Sequence, residues 1–180
     1  MAGNRGYDPR RFENLVLYFA SKSGDDPGYG KVKLNKLLFR ADFEAYRLLG
    51  ASITGEEYKA QEMGPVAAHL PSLIKRGVVT IEEIPTGPYN REAPFPTEGR
   101  KPDMSVFSPD ETEIMKRTLT ELLPYGGRSV SHWSHEVSVG WRTKSAKRLG
   151  SIIPYSSAPL SIRPLSPKAD QALRHRFQTA

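Results

Sequence analysis

The side chains best suited to chemistry crowd into one stretch, SVSHWSHEVSVGW, from Ser129 to Trp141. It holds two histidines, a glutamate and two tryptophans, in a chain with four histidines and no cysteine. On a helix, His132, His135 and Glu136 stand at i, i+3 and i+4, near one face, where such groups can share a metal ion. The helical zinc pair with its general base reads H-E-x-x-H, with the histidines four apart. Here they are three apart and the glutamate follows the second, so a metal would need another ligand, His69 or His175. The competing reading, a hydrogen-bonded histidine pair at a helix end beside aromatic rings, is the one we adopt. We expect no metal ligand, no cofactor and no catalytic residue.

Other chemistries find less footing. Ser131 or Ser134 beside His135 suggests a nucleophile and its base, but triads are assembled across a fold and no G-x-S-x-G elbow is present. Neither G-x-x-x-x-G-K-[ST] nor G-x-G-x-x-G occurs, which disfavours phosphate-loop enzymes. The carboxylate pairs Glu56-Glu57 and Glu82-Glu83 fall in loop or strand sequence, where solvation is the ordinary fate.

Charge points to binding instead. The formal net charge is +6, but residues 1–124 carry 17 Lys+Arg against 18 Asp+Glu, and residues 125–180 carry 9 against 2. The basic excess therefore belongs to the C-terminal third, as a face for an acidic partner would. Arg128, Arg142, Lys144, Lys147 and Arg148 alternate with Trp133, Trp141 and Tyr155, a composition able to meet phosphates and stack bases. No helix-turn-helix or RNP-type motif accompanies them. Absence of cysteine excludes disulfides and thiolate metal sites and fits a reducing compartment. The opening MAGNRGYDPRRFE lacks an apolar signal-peptide core and no run of about 18 apolar residues exists, so a cytoplasmic protein is expected.

Helices must position these groups. Asp8-Pro9 reads as N-cap and N1 of a first helix, with Phe12, Leu15, Val16 and Phe19 at helical spacing. The periodicity predicts a central helix over Lys31 to Leu49, carrying Leu34, Leu37, Leu38, Ala41, Ala45 and Leu48 on one face and capped by Gly50. Tyr58 to Met63 is short and extended. Gly64-Pro65 should start a helix to about Arg76, kinked or delayed by Pro71 and stopped by Gly77. Val78 to Ile84 reads as a strand, 85–102 as a proline-rich loop, and Asp103 to Phe107 as the returning strand. Ser108-Pro109-Asp110-Glu111 matches a capping box for a helix to about Leu123. Ser129 or Ser131 should cap a short helix through the histidines, and the segment from Ser151 should be extended.

The order of motifs carries a family resemblance. KLNKLLFRADFEAYRLLG, from Lys33, resembles the K-L-x-K-L-L-[YF]-x-A-D-like helix of the SocA-like, or Panacea, antitoxin domain. YKAQEMGPVAAHLPSLIKRG resembles that family's extended segment, leading through a Gly-Pro-Val turn into a helix. Ser134-His135 with Trp141, then Ile152-Ile153-Pro154-Tyr155, resemble its ending. The family-matched residues are Leu34, Lys36, Leu37, Ala41, Asp42, Gly64, Pro65, His135 and Trp141, and the resemblance implies structural roles for them.

The expectation is thus a mainly α fold, a helical domain with a small two-stranded β-hairpin over residues 8–161, followed by a tail at 162–180 with a possible short helix. The resemblance implies a non-enzymatic antitoxin, of a family many of whose members lie in prophages. It would neutralise a cognate toxin protein by direct contact, or deliver it to a protease as an adaptor. Candidate partner-binding residues are Arg40, Met63, Gly64, Pro65, Arg142, Lys144, Lys147 and Arg148. A nucleic-acid-binding regulator using the basic third is the alternative, and a metal-dependent enzyme comes third.

Overall fold

The computed structural model of the protein describes residues 4–87 and 89–160. Six helices surround one core: α1 Pro9–Lys22, α2 Lys31–Leu49, α3 Leu70–Lys75, α4 Pro109–Leu122, α5 Arg128–Val137 and α6 Val139–Lys147. Two antiparallel hairpins accompany them, β1 Tyr58–Gln61 with β2 Gly64–Ala67, and β3 Val79–Pro85 with β4 Asn90–Pro96. The protein is mainly α with minor β. The sequence suggested one hairpin, built on the β3 strand; β1–β2 is the additional one.

The long helices begin and end where local chemistry dictates. Asp8 accepts bonds from the Arg10 and Arg11 amides, and Pro9 follows as the first helical residue. Ser108 and Glu111 exchange side-chain-to-backbone bonds of 3.2 and 2.8 Å, closing the box at the start of α4. Gly50 ends α2 at φ 80°, a left-handed conformation that glycine adopts without a Cβ penalty.

α2 runs through the centre and packs against α1, α4, α5, β2 and β4. Leu34, Leu37, Leu38, Ala41 and Ala45 are buried as the periodicity required, but Leu48 is 45% exposed beyond the edge of the core. Lys33, Asn35, Lys36, Asp42 and Glu44 are buried too, so this helix is covered on nearly every side.

Three expectations need correction. Gly64-Pro65 does not start a helix. It opens β2, paired Gln61↔Gly64 through Tyr58↔Ala67, and the helix begins only at Leu70. Pairing with β1 satisfies the backbone there, and Pro71 lies in the first turn of α3, where its missing N–H costs nothing. The strand returning from β3 is Asn90–Pro96, within the proline-rich segment, while Met104–Val106 is a 3-10 turn capped by Asp103. Pro94 and Pro96 are tolerated because β4 lies at an edge. Neither Ser129 nor Ser131 caps α5: Gly127 is the N-cap, Ser129 bonds to Gly126, and the Ser131 hydroxyl donates to the Met63 carbonyl at 3.1 Å. α6, begun by Ser138, has no counterpart in the sequence reading.

The segment after α6 returns along β1. The Ile153 amide donates to the Tyr58 carbonyl, the Ala60 amide to the Ser151 carbonyl, and Ile152 bridges Lys59. A 3-10 stretch follows over Tyr155–Leu160. The suggested helix in the 162–180 tail lies outside the described residues.

Candidate partner-binding surface

The expected hydrogen-bonded histidine pair does not form: among the described residues the buried Nε2 of His135 has no hydrogen-bond partner, and His135 is instead packed as a ring. His132 and Glu136 are exposed on α5, and the His132 and His135 ring centroids are 6.3 Å apart. The His135 ring stacks on the Trp141 indole. Burial, reinforced by the nearby Lys36 and His132, holds the His135 pKa below the ordinary histidine value. His69, a suggested third ligand, is committed elsewhere: its amide and Nδ1 meet the buried Glu56 carboxylate at 2.9 and 3.0 Å, and its ring stacks on Tyr7. His175 lies outside the described residues. Among the described residues no group of three or more His, Asp or Glu side chains is placed to hold a metal ion. Ser134 donates to the Ser131 carbonyl at 2.8 Å.

Beneath this stretch the family-matched residues converge. Lys36 is fully buried, and its Nζ donates to the Pro65 carbonyl at 3.1 Å. Burial brings its pKa down to about 7. Gly64, at φ 99°, allows the chain to pass this ammonium. A Cβ there would stand 2.5 Å from Ser134 Oγ and 2.7 Å from Lys36 Cε. The Trp141 indole N–H donates to the Gln61 carbonyl at 2.9 Å. Lys36, Ser131 and Trp141 thus clamp the β1–β2 hairpin from three sides.

Two turns further along α2, Asp42 plays the matching role for the chain that precedes β1. Its fully buried carboxylate accepts bonds from the Thr54 amide at 2.8 Å, the Thr54 hydroxyl at 2.6 Å and the Tyr58 hydroxyl at 2.8 Å. Burial raises its pKa, against the lowering effect of those bonds. Tyr155, of the Ile-Pro-Tyr segment, stacks on Phe43 and donates its hydroxyl to the Glu56 carbonyl at 2.8 Å. Leu34, Leu37 and Ala41 lie in the core between the two polar posts.

The candidate contact residues divide sharply. Arg142, Lys147 and Arg148 are exposed on α6 and at its end, and Lys144 is half-buried. None of the four has a carboxylate partner among the described residues. Arg40 is instead engaged, with Glu44 at 3.2 Å and Glu121 at 2.9 Å. Of the Met63-Gly64-Pro65 turn, Gly64 and Pro65 are buried, so only Met63, 46% exposed, presents a side chain to a partner. Gly64 and Pro65, buried, shape the turn.

Sequence reasoning missed a groove of about 860 Å³ beside Met63. Its walls come from the loop before α2, the tip of the β3–β4 hairpin and the start of α5, with Tyr89, Arg91 and Arg128 among the lining residues. Tyr89 and Arg91 stood in the segment read as an irregular loop. One tyrosine and two arginines among its prolines were the only available signal.

With the hairpin, its Lys36 post and the His135–Trp141 stack in place, comparison with known proteins gives the class. Residues 34–142 match the model of the antitoxin SocA-like, Panacea domain. This match spans more than half of the chain, and the protein belongs to that family. No curated protein and no solved structure matches it.

Proposed function

We propose that this protein is a non-enzymatic antitoxin that binds a cognate toxin protein, in the cytoplasm, and silences it. Neutralisation is by direct contact or by delivery to a protease. Family membership supports a toxin partner in general. The observation that carries the binding reading is the row of cations Arg142, Lys144, Lys147 and Arg148, left without carboxylate partners on α6 beside a rigidly clamped hairpin. Such a patch speeds encounter with an acidic surface and orients it.

Support for a protein rather than a nucleic-acid partner comes from the aromatic rings. Trp133 is buried at 7% exposure, and Trp141 has one face on His135 and its N–H on Gln61. Neither ring stands free as a platform for bases, which sequence-tolerant single-strand binding needs. Nor, among the described residues, is any helix long and apolar enough to cross a membrane.

Co-expression tests the reading. Growth arrest by the adjacent reading frame, relieved by this protein, is the expected result. A harmless neighbour, together with no partner recovered by pull-down, overturns it. Release of the arrested cells only when a protease is intact would assign the adaptor mode.

A further inference from the structure

The groove beside Met63 is built with unusual economy of side chains. Two of its lining glycines make close approaches: a Cβ on Gly28 would stand 2.9 Å from the Gly126 Cα, and one on Gly30 would stand 2.9 Å from the Arg91 stem. Larger residues at these glycines would fill the groove or push its walls apart. At its edges Tyr89 is 64% exposed and Met63 46% exposed, two large apolar groups beside one depression. Exposed apolar groups that gather rather than scatter mark interaction sites.

The charges lining the groove do not cancel. Lys33 is neutralised by Asp26 at 2.5 Å, and Lys31 by Glu92 at 3.0 Å. Arg91 and Arg128 remain, from two different elements, with no carboxylate partner among the described residues. Arg91 spends one Nη on the Pro27 carbonyl at 2.6 Å, which fixes its guanidinium, and its Nε is buried with no partner. Held in this way, the guanidinium keeps its other Nη as a pre-oriented, charged donor for a carboxylate. The first turns of α2 and α5 also border the groove, each led by a glycine N-cap without a side-chain bond. The positive ends of both helix dipoles add to the same field.

We propose that this groove binds an extended acidic segment of a protein partner, with carboxylates on Arg91 and Arg128 and an apolar side chain seated against Tyr89 and Met63. The proposal rests on the reading of this chain as a partner-binding antitoxin and assigns the chemistry of one contact. It is distinct from the α6 cations, which do not line the groove. A peptide fits better than nucleic acid because Met63 and Tyr89 can seat an apolar side chain, whereas Tyr89 is the one aromatic ring among the lining residues on which a base could stack.

Selection of short random peptides displayed on phage against the full chain tests this without any toxin. The expected winners carry clustered Asp or Glu next to an aromatic or aliphatic residue. By fluorescence anisotropy the synthetic winners should bind about tenfold or more weakly to Arg128→Glu and to Tyr89→Ala, since a charge-assisted bond is worth that much. Lys101→Glu, at an exposed lysine that does not line the groove, should change binding less than about twofold. Circular dichroism confirms that each variant folds. Arg128 and Tyr89 are exposed, so the test stands even if Arg91 variants do not fold. Basic or uncharged winners, or equal binding by the groove variants, would overturn the proposal. So would tighter, groove-dependent binding of single-stranded DNA, or a dimer dissolved by Tyr89→Ala, which would make the occupant a second copy. A harmless neighbouring reading frame counts against the antitoxin reading in a different assay, so the two failures are told apart.

Discussion

The ring of His135 lies flat on the indole of Trp141, their centroids 3.6 Å apart and their planes within 5° of parallel. This pair joins α5 to α6, and the indole N–H carries the connection on to the hairpin at Gln61. A histidine so placed is a packing surface. Its folded-state pKa is depressed, so the unfolded chain binds the proton more readily, and acidification through about 6.5 draws against the fold. In an NMR titration the His135 signals should move below that value. Titration above it would mean that the stack is open in solution.

Gly64→Ala should destabilise the protein by about 2–4 kcal/mol, because φ 99° strains any L side chain and the new Cβ meets Ser134 and Lys36. Urea melts give the value. A loss under about 0.5 kcal/mol would show that the hairpin is not clamped as described.

Lys36 sets the alkaline response. Its folded pKa of about 7 lies far below its ordinary 10.5. Between those values the unfolded chain holds a proton that the folded chain lacks, so the contribution of Lys36 to stability rises with pH across that window. Below about pH 7 the ammonium is charged in both states and the burial cost is felt in full. The stability of wild type minus that of Lys36→Met should therefore rise from pH 7 to pH 10, by on the order of a few kcal/mol. The buried tyrosines, whose pKa values are raised, oppose this at high pH but do so equally in both proteins. A constant gap would place Lys36 in solvent.

Asp42→Ala should cost about 2–4 kcal/mol, since it strands three donors from Thr54 and Tyr58 in the interior. Tyr58→Phe, which removes one donor only, should cost about 1 kcal/mol. Leu37→Ala, one turn earlier in the core, should cost about 2–5 kcal/mol by cavity formation. Equal losses for Asp42→Ala and Tyr58→Phe in denaturant melts would contradict the hub arrangement.

For the proposed toxin contact, changing Arg142, Lys144, Lys147 and Arg148 together to glutamate should slow association about tenfold or more at low salt. The fold should survive, because these side chains have no partners to lose among the described residues. Stopped-flow mixing with the purified toxin reads the rate. An unchanged rate would move the main contact to the Met63 side of the molecule.

What the sequence determined by itself was local or periodic. Asp8, Gly50 and Ser108 mark helix ends through bonds made within a few residues, and the leucine stripe of α2 follows from its apolar spacing. The ordered motifs identified the family without any coordinates. Tertiary structure alone decided that Gly64-Pro65 is strand, because Lys36, which holds Pro65, and Ser131, which holds the neighbouring Met63, lie 29 and 68 residues from the carbonyls they bond. Nothing in the spacing of α2 distinguishes Lys36, buried under a carbonyl, from Lys31, half-buried on a salt bridge. The groove was equally hidden: it is lined at the approach of Gly28 to Gly126, a contact between two glycine-rich turns that no periodicity reports. Short-range bonds leave a signature in neighbouring residues. Long-range burial and backbone contact do not, because the partner's distance along the chain is set only when the helices pack.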